Sequence, residues 1–209
     1  CLEVCLDYRN PVRLISKGAL IRRDVDLLAE LARVARASVA LSIPLLDADL
    51  AKAIEPGASP PRRRLAALAE LAAAGVDCGV SLGPIIPGLN DEHIPATLAA
   101  AAEAGARWAF MIMLRLPGSV LPVFEQRIVE AVPLRAQKVL HTVEQIRGGK
   151  RNETRFGERM RGQGPRWAAI EALFASHCKQ LGLASSAMDH EVDRLPTSFR
   201  RPRAQLDLF

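Results

Sequence analysis

DCGVSLGPIIPGLND, residues 77–91, decides the fold of this chain. Its first seven residues make a short apolar run of strand length, centred on the β-branched Val80. PIIPGLND follows, and its two prolines and Gly88 break regular structure into a turn. Asp91 then opens a helical stretch that closes at Gly105. Immediately upstream, RRRLAALAELAAAG has the apolar spacing of a helix and ends at Gly75, a residue suited to the left-handed conformation that closes helices. Immediately downstream lies WAFMIML, residues 108–114, another strand-length run that starts on Trp108. Helix, strand, turn, helix and strand in succession is the pattern of βα units, whose strands lie parallel.

The same alternation continues outward. Val12–Ser16 (VRLIS) is a strand, with Asp24 placed to cap a following helix through DVDLLAELARVA. Val39–Ile43 (VALSI) is a second strand, followed by the short helix DADLAKAIE and a proline-rich turn. Four βα units are too few to close an eight-stranded barrel. Two architectures remain, an open doubly wound sheet or part of a barrel. Beyond Pro117 the pattern is helical (VFEQRIVEAV, then LRAQKVLHTVEQIR), followed by the glycine-rich basic stretch GGKRNETRFGERMRGQGP, the helix RWAAIEALFASHCKQLG and a polar, proline-containing tail.

With 209 residues and 49% hydrophobic content, the chain can bury one substantial core. Its four unevenly spaced cysteines make no disulfide framework, which implies a reducing compartment and a cytoplasmic location. Cys78 in a strand and Cys178 on an apolar helix face read as core thiols. No apolar run is long enough to span a bilayer, so no membrane role is expected, and CLEVCLDYRN lacks the regions of a signal peptide. The first residue is not Met and already belongs to a helical pattern, so the expectation is a chain that starts inside an element of a longer protein. The four histidines show no ligand spacing and none is assigned to metal; Walker-type loops, hydrolase elbows and zinc-protease patterns are absent. Net charge is +5, with a pI near 9.4, and the stretch Arg147–Arg166, with seven bases and two acids, accounts for all of it. An anionic partner is therefore plausible on charge alone.

Three features together resemble a known family. They are the strand ends (Ser16-Lys17, Ser42 and GPIIPGLND, with IEPGASPPRRRL between), the stretch RGGKRNETRFGERMRGQGP, and the terminal QLDLF. The chain resembles the C-terminal portion of radical S-adenosylmethionine (SAM) proteins of the spore photoproduct lyase-like, or DNA repair photolyase-like, subgroup. The resemblance implies an α/β fold, the last four βα units of a partial (β/α)6 barrel, with a helical C-terminal extension. Residues 1–117 would be the barrel part, 118–184 the helical extension with its basic Gly/Arg-rich stretch, and 185–209 a flexible tail. It also implies SAM and a [4Fe–4S] cluster, the latter held by three cysteines spaced C-x3-C-x2-C in the loop after the first barrel strand. Here the nearest match is Cys1-x3-Cys5-x2-Tyr8, with tyrosine in the third place and a helical pattern throughout. The reading is a packing helix, with the cluster motif lying upstream in a full-length parent.

By the same resemblance, Lys17 at a strand end would pair with the SAM carboxylate, Ser42 would contact SAM, and Arg64 would be a further carboxylate clamp. The alternatives are an exposed lysine, a hydroxyl bonded to backbone, and a solvated basic helix start shared with Arg62 and Arg63. Gly83 would let the backbone turn around the ligand, with Ile85 and Ile86 against the adenine; an ordinary βα turn explains these residues almost as well. Arg151, Arg155, Arg159 and Arg161, interleaved with glycines, would bind nucleic-acid phosphates, with Phe156 available to stack on a base. A solvated charged loop is the competing view. Gln205, Leu206, Leu208 and Phe209 resemble the short peptide that docks bacterial polymerases and repair proteins on the sliding clamp; a tail folded back on its own core is the alternative.

The leading functional reading is a fragment of a radical SAM iron–sulfur enzyme acting on nucleic acid, in the manner of a DNA repair lyase, and not competent alone. The alternatives are a non-catalytic DNA- or clamp-binding module and an unrelated α/β barrel enzyme.

Overall fold

The computed structural model describes residues 1–185 and 197–201. The proposed clamp residues Gln205, Leu206, Leu208 and Phe209 lie outside them. In chain order the elements are α1 (Leu2–Asp7), β1 (Val12–Ser16), a 3-10 turn (Ala19–Asp24), α2 (Val25–Val34), β2 (Ala37–Ser42), α3 (Ala48–Ile54), α4 (Pro61–Ala73) and β3 (Asp77–Ile85). A second 3-10 turn (Asp91–His93), α5 (Ile94–Glu103), β4 (Trp108–Met113), α6 (Val120–Ala131), α7 (Ala136–Ile146), α8 (Gly164–Gln180) and β5 (Ala184–Ser185) complete them. The four expected strands all form, and Gly75 and Gly105 take the positive φ values, 83° and 92°, that end the helices before β3 and β4.

The sheet is entirely parallel, in the order β1-β2-β3-β4-β5. Each new strand adds to the same edge, so this sheet lacks the order reversal that defines a doubly wound fold. Right-handed crossovers then place the connecting helices together on one face. Two differences from the sequence reading stand out. The helical part after residue 118 ends in a fifth strand, where Ala184 and Ser185 pair with Trp108 and Ala109; two residues are too few to show a strand periodicity. Asp24 occupies the N-cap position of α2 without capping it, its carboxylate accepting from Arg23 at 3.1 and 3.2 Å instead. The preceding 3-10 turn already satisfies the start of that helix, because the Val25 N–H donates to the Arg22 carbonyl. Asp47 does cap α3, accepting from the Leu50 N–H at 2.7 Å.

The pleat sorts the two faces of the sheet. Leu14, Val39 and Cys78 stand in register, as do Leu41, Val80 and Ala109. The central strands' share of these rows is buried with Leu28, Leu68, Leu71 and Leu98 of the covering helices, and Val139, Val143, Trp167 and Phe174 of α7 and α8 belong to the same core. The opposite face carries the register rows Ile15, Ala40, Gly79, Trp108 and Ser42, Ser81, Phe110. On it the Trp108 ring lies flat over Gly79: a Cβ at Gly79 would meet ring carbons at 2.2 Å. The ring stacks at 6.0 Å on Phe110, and its Nε1 donates to Asp77 at 3.1 Å. Trp108 and Phe110 fill the β4 side of that face, while the ends of β2 and β3 carry only the small Ser42, Ser81 and Gly83.

The first helix, α1, runs through Cys5, and residues 197–201 fold back against its end. Phe199 stacks on Tyr8 at 6.1 Å, the Arg200 N–H donates to the Tyr8 carbonyl at 2.8 Å, and the Ser198 hydroxyl donates to the Arg9 carbonyl at 3.0 Å. Among the described residues no helix is long and apolar enough to cross a membrane.

Gly79→Ala should destabilise the fold by about 3 kcal/mol, because the methyl group and the indole compete for one volume. Urea unfolding measures the loss, and a shift of native tryptophan emission reports the displaced ring.

Candidate functional site

The carboxyl ends of β1 to β4 meet at a cavity of about 420 Å³, lined in part by Lys17, Ser42, Ser81, Gly83, Ile112 and Arg115. That volume lies in the range of small-molecule sites, and strand carboxyl ends are where parallel sheets bind ligands. At the end of β1 the Ser16 hydroxyl accepts from the Gly18 N–H at 3.0 Å, a tight local turn that leaves Lys17 on the rim. The Lys17 ammonium donates to Glu55 Oε1 at 2.5 Å. Ser42 ends β2; its hydroxyl donates to the Gly83 carbonyl at 2.9 Å and so ties β2 to the end of β3.

Arg64 stands behind this wall, 2% exposed. It donates to the Ser42 carbonyl and the Ser59 carbonyl, each at 2.6 Å, and to Glu55 Oε2 at 2.8 Å. The Glu55 carboxylate therefore bridges Lys17 and Arg64 while remaining almost wholly buried itself. Asn90, 1% exposed, anchors the 83–91 turn: its Oδ1 accepts from the Ile86 N–H at 2.7 Å, and its Nδ2 donates to the carbonyls of Pro44 and Pro84 at 2.9 and 3.0 Å. Ile85 and Ile86, 1% and 2% exposed, point into the core.

Of the six residues expected at the cofactor site, the structure brings Lys17, Ser42 and Gly83 to one cavity. Arg64, Ile85 and Ile86 sit behind its lining. Sequence reasoning missed Glu55, Ser81, Asn90 and Arg115. Applying the strand-end logic to the fourth strand as well would have found Arg115. Glu55 lies in a segment singled out only as a spacer, and nothing in its local pattern signals a shared counter-ion.

The basic stretch is fastened to this same end of the sheet. The Met113 N–H donates to the Met160 carbonyl at 3.1 Å and the Leu116 N–H to Asn152 Oδ1 at 3.1 Å. Arg147, 5% exposed, donates to the carbonyls of Leu114 and Arg161 at 2.7 Å, Arg159 at 3.0 Å and Glu158 at 3.4 Å. A buried guanidinium thus gathers the loop's carbonyls and holds them on β4. Burial pushes the Arg147 pKa down from the ordinary arginine value; Glu153 opposes this and Arg115 adds to it.

Much of the loop's charge is already engaged. Arg151 pairs with Glu125, and Arg155 pairs with Glu153 and Glu158 at 2.9 and 2.6 Å. Its hydrogen bond with Arg155 holds the Glu153 carboxyl down at about 2. Arg166 reaches Asp91 at 3.3 Å. Arg159 instead lies 5.1 Å above the ring of Phe156, which is 89% exposed, and neither Arg159 nor Arg161 has an acidic partner among the described residues. The anion-binding capacity expected of four arginines is concentrated in these two.

Burial pushes the Cys78 thiol up to about 12 and the Cys178 thiol up to about 11, which makes both protonated and unreactive at neutral pH. Among the described residues no three His, Cys, Asp or Glu side chains are grouped to hold a metal ion.

No family profile matches the chain. Uncharacterized proteins of Mycobacterium tuberculosis and Mycobacterium bovis are 38% identical to it over 126 residues, a segment that is 59% of this chain and 37% of each relative. The matched part is little more than a third of those proteins' length. Among solved structures, spore photoproduct lyase superposes with a TM-score of 0.61 at 20% identity, over 88% of this chain and 54% of the lyase, in its cysteine-to-serine variant. The lyase complexed with dinucleoside spore photoproduct gives the same score at 19% identity and the same coverage. The fold is therefore the α/β fold of that part of the lyase.

Two outcomes follow. Glu55→Gln should cost about 3 kcal/mol in urea unfolding, since it strips a buried Arg64 of its counter-charge. Thiol titration with a disulfide reagent at about pH 8 should label the accessible Cys1 and Cys5 in the native protein and reach Cys78 and Cys178 only on unfolding.

Proposed function

We propose that this chain is the C-terminal portion of a radical SAM enzyme of the spore photoproduct lyase type, acting on nucleic acid, and that its cavity is part of the SAM site. The unreversed strand order supports the partial-barrel reading, with residues 1–117 as barrel, 118–184 as extension and 185–209 as tail. The observation that carries the substrate class is the attachment of the basic loop to Met113, Leu114 and Leu116, a segment whose Met113, Leu114 and Arg115 line the cavity. A nucleic acid held by Arg159, Arg161 and the exposed Phe156 would lie beside whatever occupies the cavity.

The lining fits SAM: Lys17, whose ammonium has two further N–H donors beside its pair with Glu55, for the carboxylate, the Ser81 hydroxyl and the acceptor side of the Ser42 hydroxyl for polar groups, and Gly83 where backbone must approach closely. Arg64, Ile85 and Ile86 act at one remove, Arg64 by holding the Ser42 carbonyl and the isoleucines by bracing the turn beneath Gly83. When bound to its [4Fe–4S] cluster, SAM supplies a hydrogen-abstracting radical. The described residues do not fit the cluster, because Cys1 and Cys5 flank and enter a helix without a third ligand. On this reading the three-cysteine motif belongs to a longer, cytoplasmic parent, and the chain alone is not competent. Gln205, Leu206, Leu208 and Phe209 remain a proposed clamp-docking peptide on sequence resemblance alone.

The test is a salt titration of single-stranded oligothymidylate binding followed by fluorescence anisotropy. The double substitution of Arg159→Ala with Arg161→Ala should weaken binding at least tenfold and flatten the dependence of log affinity on log salt by about 1.4, the loss of two phosphate contacts. Arg151→Ala should change both far less, because Glu125 already engages that side chain. Salt-independent binding, or none by the unaltered chain, overturns the nucleic-acid reading.

A further inference from the structure

Arg115 follows the last residues of β4 and lines the cavity opposite Lys17. Its backbone is held on both sides. The Leu114 N–H donates to the Ile85 carbonyl at 2.9 Å, the Leu114 carbonyl accepts from Arg147, and the Leu116 N–H is bonded to Asn152. With Leu114 and Leu116 buried at 7% and 1%, the Arg115 side chain has a set direction of departure.

Its half-buried guanidinium differs from the other cations on and behind this end of the sheet. Arg64 and Arg147 spend their terminal nitrogens on carbonyls or a carboxylate, and Lys17 is paired with Glu55. Arg115 has a buried Nε–H without an acceptor among the described residues, and no acidic side chain pairs with it there. Three other buried donors share that condition, on Arg36, Arg147 and Trp167, but of the four only Arg115 lines this cavity. Buried donors are nearly always satisfied, and a cavity-lining guanidinium that has no partner among the described residues is open to an acceptor brought by a ligand. The guanidinium of Arg147 lies near enough to repel that of Arg115, and this added positive potential favours an anionic acceptor.

We propose that Arg115 is a phosphate-binding residue of the cavity, taking one phosphate group of the ligand on its planar fork. This rests on the reading of the cavity given above: Lys17, at the far end, serves the carboxylate, and Arg115, at the end carrying the basic loop, serves the phosphorylated partner. A guanidinium matches two phosphate oxygens with two parallel N–H donors, a geometry an ammonium cannot reproduce. One phosphate chemistry has two sources here, a nucleic-acid strand continuing toward Arg159 and Arg161, or a small phosphorylated molecule confined to the cavity.

The experiment follows the Nε–Hε signal of Arg115 by nitrogen-15 NMR on the full chain, titrated separately with inorganic phosphate and with single-stranded oligothymidylate. The signal should shift and saturate with both, and Arg115→Gln should weaken oligothymidylate binding about tenfold, with Arg115→Lys restoring only part of it. If phosphate moves the signal while the unaltered chain fails to bind the oligonucleotide, the phosphate site stands with a small-molecule source and the nucleic-acid reading falls. If the oligonucleotide binds the unaltered chain and Arg115→Gln equally well, the nucleic-acid reading stands and this inference falls. An Arg115 signal unmoved by either probe overturns the inference whether or not the variants fold.

Discussion

The carboxylate of Glu55 lies nearly buried between two cations, Lys17 at 2.5 Å and Arg64 at 2.8 Å, and the organisation of the cavity depends on that placement. Without it, Arg64 would be a desolvated charge with only carbonyl partners, an unfavourable condition in a low-dielectric interior. With it, Arg64 can grip the Ser42 carbonyl, which leaves the Ser42 hydroxyl free to donate to Gly83 and join the ends of β2 and β3. The same carboxylate restrains Lys17 at the rim. One acid, contributed by the loop between α3 and α4, thus coordinates the ends of three strands.

A second buried cation performs the matching task on the other side. Arg147 holds the glycine-rich loop to β4 through backbone carbonyls, a use of charge that leaves little of it for a ligand. The contrast with Arg115 is instructive. Both are arginines close to the end of β4 and each keeps a buried Nε–H without an acceptor among the described residues, yet the terminal nitrogens of Arg147 are consumed in holding the loop while Arg115 lines the cavity. Between them the sheet's free face is divided by size: Trp108 and Phe110 fill its β4 side, and the ends of β2 and β3 carry only serines and a glycine.

How far this was legible beforehand differs by element. The four longer strands and their helices show in the chain because 3.6-residue and strand-length apolar patterns are local properties. The turn after β3 showed for the same reason, through its prolines and Gly88. β5 did not, since two residues form a strand only by virtue of the edge they find on β4. The basic stretch was visible as a count of charges, but its net of +5 overstated what can meet a ligand. Ion pairs formed by Arg151 with Glu125 and by Arg166 with Asp91 join residues distant in sequence.

The amino-acid sequence by itself determined the alternation of helices and parallel strands, the inert character of Cys78 and Cys178, and the presence of ligand-type residues at the strand ends. Periodicity, apolar surroundings and turn chemistry act over a few residues and are written in their order. Only the tertiary structure decided that Lys17, Ser42, Gly83 and Arg115 share one cavity while Arg64, Ile85 and Ile86 stand behind it. It also decided which arginines keep donors without a partner among the described residues. Those outcomes depend on register between strands and on which carboxylate reaches which cation, distances that fold formation sets and that no local pattern encodes.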